Sequence, residues 1–163
     1  MIEMIRLDDR LVHGQVAVIW SKRLGVDRII VASDEAANDK LQSSALKMAA
    51  PPSAKVFVLE IEKAATIIND VRSRDKKILV VTDSPDKIYR LVNLIDEKPV
   101  IDIANYGRIV GTSDKSKVTE TVYTSKKENE LFKNLIDKKY EVFYQPLPDD
   151  KKILLSDLIQ GGE

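Results

Sequence analysis

Short β-branched apolar runs recur along this chain at roughly 25-residue spacing, and no other feature narrows its fold as much. Ile2, Met4 and Ile5 make the first; Arg28–Ala32, Lys55–Glu60, Lys77–Asp83 and Pro99–Asn105 follow. The segments between them carry apolar residues at helical spacing. Val16, Val18, Ile19, Trp20 and Leu24 mark one helix, and Asn38–Ala49 a second, with Leu41, Ala45, Leu46, Met48 and Ala49 on its inner face. Ile61–Arg72 is a third, burying Ala64, Ala65, Ile67, Ile68 and Val71. A fourth is capped by Asp83 or Ser84, has Pro85 in its first turn, and presents Ile88, Leu91, Val92 and Ile95. Pro51-Pro52 ends the second helix, because neither proline can donate an amide. Strands alternating with helices predict βαβ units with right-handed crossovers. The expected architecture is a single α/β domain over residues 1–163, an open and mainly parallel sheet with helices on both faces.

Past Asn105 the rhythm changes. Tyr106–Ser116 is polar and glycine-containing, and Lys117–Tyr123 alternates as an antiparallel edge strand would. Glu128–Lys139 reads as a last long helix and Tyr140–Tyr144 as a last strand. Ile153–Ile159 is a short apolar tail expected to pack on the core.

The composition excludes several classes of function. Lys plus Arg and Asp plus Glu each number 26, so no net field recruits nucleic acid. There is no cysteine and one histidine, which removes disulfide frameworks, thiolate nucleophiles, cysteine-ligated zinc and histidine-rich metal centres. No apolar run approaches the ~20 residues of a membrane span, and no signal-peptide pattern is visible, so direct membrane insertion is not expected and the location expected is cytoplasmic. Neither a Gly-x-Gly-x-x-Gly nor a P-loop fingerprint is present, and no cofactor or metal is called for.

The one histidine, His13, falls between the first strand and the first helix, within Arg6-Leu-Asp-Asp-Arg-Leu-Val-His-Gly-Gln-Val16. Strand-to-helix connections of parallel sheets are where ligands collect. An imidazole nitrogen can attack phosphorus at neutral pH, hold the phosphoryl group and release it. That group carries close to two negative charges and three acceptor oxygens. Gly14 permits close backbone approach, the amides of Gln15 and Val16 open a helix N-terminus, and Arg10 adds a guanidinium. Asp8 and Asp9 cannot usefully face a phosphate, so their expected work is orienting Arg6, Arg10 or the loop backbone. The loop should not clamp two carboxylates onto the carrier ring. Each residue also has an ordinary structural reading: His13 and Arg10 as surface groups, Asp8-Asp9 as turn and cap chemistry, Trp20 as core. Ser33-Asp34 and Thr82-Asp83-Ser84 end strands two and four and read as caps that flank the site. A different class, a receiver-like domain phosphorylated on aspartate with Mg²⁺, would use Asp8 and Asp9. It fits Thr82, but strand three ends in Glu60 and no lysine follows strand five.

The eleven-residue stretch closely resembles the active-site segment of the IIB component of the mannose/fructose/sorbose family of the bacterial phosphoenolpyruvate-dependent sugar phosphotransferase system. The likeness continues through Trp20, Arg28-Ile-Ile-Val-Ala-Ser-Asp-Glu35, Ala49-Ala-Pro-Pro52 and Asp157-Leu-Ile159. It implies that His13 carries a phosphoryl group, on Nδ1, between a IIA protein and a sugar bound by membrane IIC/IID subunits. Arg10, Gly14 and Gln15 match the phosphoryl cradle. One segment departs: where the family has Asn-Ile-Gly-Gly or similar, this chain reads Asp102-Ile103-Ala104-Asn105, then Tyr106-Gly107-Arg108. A bulkier loop with an extra cation, Arg108, is expected to border the site.

Overall fold

The computed structural model describes residues 1–108 and 114–159; the expected loop over Tyr106–Ser116 therefore lies partly outside the described residues. Five apolar runs form parallel strands: β1 (Ile2–Asp8), β2 (Arg28–Ala32), β3 (Lys55–Leu59), β4 (Ile78–Thr82) and β5 (Ile101–Asn105). With β8 (Val142–Tyr144) and β9 (Ile153–Leu154) they make a seven-stranded sheet ordered β3-β2-β4-β1-β5-β8-β9. All pairings are parallel except β8 with β9.

Helix α1 (Gly14–Leu24) lies on one face of the sheet with α3 (Lys40–Met48). There Trp20, Ala17 and Leu46 pack on Met4, Ile29, Val31, Leu79 and Val81. The other face is covered by α4 (Ile61–Asn69), α5 (Pro85–Val92), α6 (Lys126–Asp137) and α7 (Leu155–Ile159). Ala64, Ile68, Ile88, Leu91, Phe132, Leu135 and Leu155 meet Ile5, Leu7, Ile30, Val80 and Ile103 on that side. The alternation of strand side chains decides the site: Ile5 and Leu7 point to the α5 face, so Arg6 and Asp8 point to the α1 face.

Several boundaries differ from the sequence expectation, each for a local reason. The helix expected over Asn38–Ala49 is α3, trimmed at both ends, and an additional short helix that was not expected precedes it. Ser33 caps a single turn, α2 (Asp34–Ala37), and Asp39 caps α3. Leu41 and Met48 end up 83% and 86% exposed rather than inward, because Leu46 supplies the buried contact of α3. The third helix stops at Asn69, since Asp70 turns extended and caps a 3₁₀ turn at Val71–Ser73, which leaves Val71 exposed. Ser84, not Asp83, caps α5. A capping box between Ser125 and Glu128 starts α6 at Lys126, earlier than expected. The alternating run 117–123 is not the sheet edge. It folds as a hairpin, β6 (Ser116–Thr119) with β7 (Val122–Thr124), attached to the main sheet by a bridge between Tyr106 and Val122. The antiparallel edge is instead β9, within the segment expected as an apolar tail, whose Leu155 and Ile159 do pack on the core.

Candidate functional site

The sheet order creates a crevice. From β1 the chain leaves through α1 toward β2, on one side; from the neighbouring β4 it leaves through α5 toward β5, on the other. Adjacent strands whose connections depart in opposite directions part at their carboxyl ends, where ligands of open α/β sheets bind. Asp8 is the last residue of β1, and His13 is the N-cap residue of α1.

The connection between them is built tightly. Leu11 N–H donates to the Asp8 carbonyl at 2.9 Å, closing a turn. Leu11 takes φ +60, a left-handed conformation uncommon for a branched residue, and Gly14 follows at φ +44. Burial of Leu11 and Val12 against Trp20 holds this backbone in place. At Gly14 nothing lies within 4 Å of where a Cβ would be, so backbone conformation, not crowding, calls for glycine.

Asp8 is the hub. Its Oδ1 accepts from the Arg10 amide at 3.0 Å and from Arg10 Nε at 3.1 Å; its Oδ2 accepts from Arg10 Nη2 at 3.2 Å. The same Oδ2 lies 2.9 Å from His13 Nε2 and 3.7 Å from Arg6 Nη2. Burial opposes ionisation of Asp8, but the hydrogen bonds from Arg10 and His13 and the charge of Arg6 outweigh it and hold the carboxyl below the usual carboxylate range. His13 is one-quarter exposed, so its ring is reachable, and among the described residues the one carboxylate bonded to it is Asp8. The sequence points Asp8 to Arg6, Arg10 or the loop backbone; the bond to the ring is an addition that the structure makes.

Asp9 faces away from the ring and fixes the loop to β5. It accepts from Asn105 Nδ2 at 2.7 Å and from the Gly107 amide at 3.0 Å, while its own amide donates to the Asn105 carbonyl. Asn105 Oδ1 in turn accepts from exposed Arg108 at 2.9 Å, which places that cation on the rim. Gly107, at φ +83, cannot be replaced freely, since a Cβ there would stand 2.2 Å from the Tyr123 carbonyl oxygen.

Behind the hub is a layer in which the sequence marks Arg6 as orienting and Trp20 as core but does not reveal Asp102, Gln145 or Pro146 as their partners. Arg6, almost fully buried, donates to Asp102 Oδ2 at 2.9 Å and to the Pro146 carbonyl at 2.9 Å, and its guanidinium lies 5.4 Å from the centroid of the Trp20 ring. Trp20 Nε1 donates to the same Pro146 carbonyl. Asp102 Oδ1 accepts from the Gln145 amide at 2.9 Å. Burial pushes Asp102 up to about 7, with Arg6 and the Gln145 amide limiting the rise. The signal available was an acid inside the apolar run Val100-Ile-Asp-Ile-Ala104, which demands a buried cation.

The first turn of α1 carries no acidic residue and His13 gives it no side-chain cap, so Gly14 and Gln15, both exposed residues, open the positive end of the helix. The flanking caps behave as expected: Ser33 Oγ accepts from Ala36 N, Ser84 Oγ from Lys87 N, and Lys87 Nζ pairs with Asp83 and Glu35. No group of three or more His, Cys, Asp or Glu side chains among the described residues is arranged to hold a metal ion. Both Asp8 oxygens are engaged and its side chain is 1% exposed, and both Asp9 oxygens accept from Asn105 and Gly107, so an aspartyl-phosphate reading finds no unengaged oxygen on either.

Fold and site together define a parallel α/β protein with one reachable imidazole at its topological switch point, flanked by guanidiniums and a helix N-terminus. Residues 2–163 match the family model of the sorbose-subfamily IIB component of the phosphotransferase system. A probable phosphotransferase enzyme IIB component of Streptococcus pyogenes serotype M6 is 36% identical over 98% of this chain and 99% of its own length. The mannose-specific EIIAB component of Escherichia coli K12 is 32% identical over 98% of this chain, which spans 48% of that longer protein. Among solved structures, the IIBSor domain of the sorbose permease from Klebsiella pneumoniae superposes with a TM-score of 0.93 at 26% identity, covering 100% of this chain and 98% of the other. The chain belongs to the sorbose-subfamily IIB components of the sugar phosphotransferase system, the mannose/fructose/sorbose family. It is a phosphocarrier component of sugar uptake, a role the receiver-like alternative does not share.

Proposed function

We propose that His13 is the phosphoryl carrier of this protein and that Nδ1 is the nitrogen it uses. One observation carries the reading: Asp8 Oδ2 sits 2.9 Å from Nε2, so in the neutral ring the proton resides on Nε2 and the lone pair on Nδ1. The Nδ1 lone pair attacks phosphorus of a phosphohistidine on a IIA protein or domain. The new N–P bond forms as the bond to the IIA imidazole breaks, and that electron pair returns to the leaving ring. In the second transfer the Nδ1–P bond breaks, its electron pair returning to the His13 ring, as an O–P bond forms to a sugar hydroxyl held by membrane IIC/IID subunits, and the hydroxyl proton passes to water. Catalysis is then mostly positioning and charge neutralisation.

The cradle for the group is Arg10 with the amides of Gly14 and Gln15, an arrangement supported by the half-exposed Arg10 guanidinium beside the α1 N-terminus. Arg6, Asp8 and Asp9 orient the loop. The site works at the cytoplasmic face of the membrane, where a IIA protein can reach it; no described helix is long and apolar enough to cross a membrane. Incubation with phosphoenolpyruvate, the general phosphotransfer proteins and a IIA protein should label the protein once per chain, with label stable to alkali and lost in acid. Undiminished labelling of a His13→Gln variant would refute the assignment.

A further inference from the structure

The Asp8 oxygen that holds His13 is contested. Oδ2 is 2.9 Å from the imidazole Nε2 and 3.7 Å from Arg6 Nη2. Arg6 lies between two carboxylates, Asp8 within its own strand and Asp102, its register partner on β5. It donates at hydrogen-bond distance to Asp102, at 2.9 Å, and not to Asp8. Asp102 is itself fixed, since its other oxygen accepts the Gln145 amide at 2.9 Å, and Arg6 is steadied further by the Pro146 carbonyl and the Trp20 ring. Both Asp102 oxygens accept, an arrangement that the ionised form satisfies with both oxygens.

From this arrangement we infer that Asp102 is a positioning residue for phosphoryl transfer: by holding Arg6 it keeps a third donor off Asp8 Oδ2, which already accepts from Arg10 Nη2 at 3.2 Å and meets His13 Nε2 at 2.9 Å, and so keeps the lone pair on Nδ1. The inference rests on His13 being the acceptor, and it adds a carboxylate two groups removed from the reacting atoms. With Asp102 neutral, the nearest full anion for the buried Arg6 is Asp8. A buried guanidinium left without a charged partner is costly, so Arg6 closes the 3.7 Å gap. A side-on guanidinium contact then competes with the imidazole for one oxygen, and the ring loses the partner that selects its tautomer.

The chain has a single histidine, so its imidazole nitrogens can be read without ambiguity. The full chain, ¹⁵N-labelled at histidine, is compared with Asp102→Asn at pH 8, where Asp102 is ionised. Wild type should show a lone-pair-type Nδ1 and a protonated Nε2. In Asp102→Asn, an isosteric change, the two resonances should move toward the averaged position of mixed tautomers, and transfer from phosphorylated IIA should slow about tenfold, the effect of losing one charge-assisted hydrogen bond. The double variant Arg6→Gln/Asp102→Asn removes the competitor as well and should regain the wild-type pattern. Unchanged imidazole resonances in folded Asp102→Asn overturn the inference. If that variant does not fold, mixed tautomers in the double variant overturn it equally. The tautomer is read without any phosphoryl donor, so this outcome stands apart from whether His13 accepts the group at all.

Discussion

Replacing Asp8 by asparagine separates the chemistry of the site from its architecture. The introduced carboxamide is the same size and keeps one carbonyl oxygen, which can serve the Arg10 amide and Nε, now bonded to Oδ1 at 3.0 and 3.1 Å. The other position becomes an NH₂ directed at His13 Nε2, 2.9 Å away, and at Arg10 Nη2, 3.2 Å away. An NH₂ can only donate, so Nε2 must become the acceptor and the proton moves to Nδ1. The nucleophilic nitrogen then lacks a lone pair. A wrong tautomer forced by an Asp→Asn change in a catalytic triad lowers turnover by about 10⁴, and a loss on the order of 10³ to 10⁴ in single-turnover transfer from phosphorylated IIA is expected here. Stability should suffer far less. Arg6 retains Asp102, and Arg10 is partly solvated, leaving roughly 1–2 kcal/mol for the weakened hydrogen bonds. That corresponds to a fall in Tm of a few degrees, about 2–4 °C per kcal/mol for a chain of this size. Rapid-quench transfer assays and thermal unfolding of the same preparation measure both. Transfer within tenfold of wild type in a folded Asp8→Asn protein would refute the idea that Asp8 sets the tautomer.

Three further outcomes follow from the packing and the charges. Gly107→Ala should destabilise by about 2–3 kcal/mol, combining a left-handed alanine with a backbone clash at Tyr123, and should slow transfer through the loosened Asp9–Gly107 bond; urea midpoints and rates test it. Phe132→Ala, in fully buried α6 packing, should cost about 3–5 kcal/mol, whereas Met48→Lys on the exposed face of α3 should stay within about 0.5 kcal/mol in the same urea titration. The Asp102 value is raised in the fold, to about 7 from 3.8, so the folded state holds that proton more tightly. The stability it contributes is full below about pH 4, falls as pH rises toward 7, and is flat above. Asp8, held low, acts oppositely, its contribution being present above its unfolded value near pH 3.8 and lost as pH falls further. Urea midpoints of wild type relative to Asp102→Asn should therefore decline between pH 4 and 7, and a flat difference would count against this charge balance.

The parts of this structure that depend on neighbours in sequence were legible from it. The five parallel strands declare themselves as apolar runs, and the His13 loop was found because a strand signal ends at Ile5 and a helical one begins near Val16. What escaped depends on partners distant in the chain. Arg6 and Asp102 are 96 residues apart and meet only because β1 and β5 are adjacent and in register, a placement set by sheet order. The carbonyl of Pro146, which joins Arg6 to Trp20, carries no side-chain signal at all. Leu41 and Met48 misled because helical spacing identifies an apolar face without saying whether a neighbour covers it, and a nine-residue helix at the sheet edge buries only one stripe. The edge strand was misplaced for a related reason: alternation marks any half-covered strand, and the two-residue turn at Glu120-Thr121 makes 117–123 pair with itself.

The central claim, that a single imidazole carries the phosphoryl group on the nitrogen turned away from Asp8, is open to one direct measurement. A ³¹P NMR spectrum of the protein after incubation with phosphoenolpyruvate, the general phosphotransfer proteins and IIA should show one Nδ1-phosphohistidine resonance, absent from His13→Gln. An acyl-phosphate signal, or a phosphohistidine linked through Nε2, would contradict it.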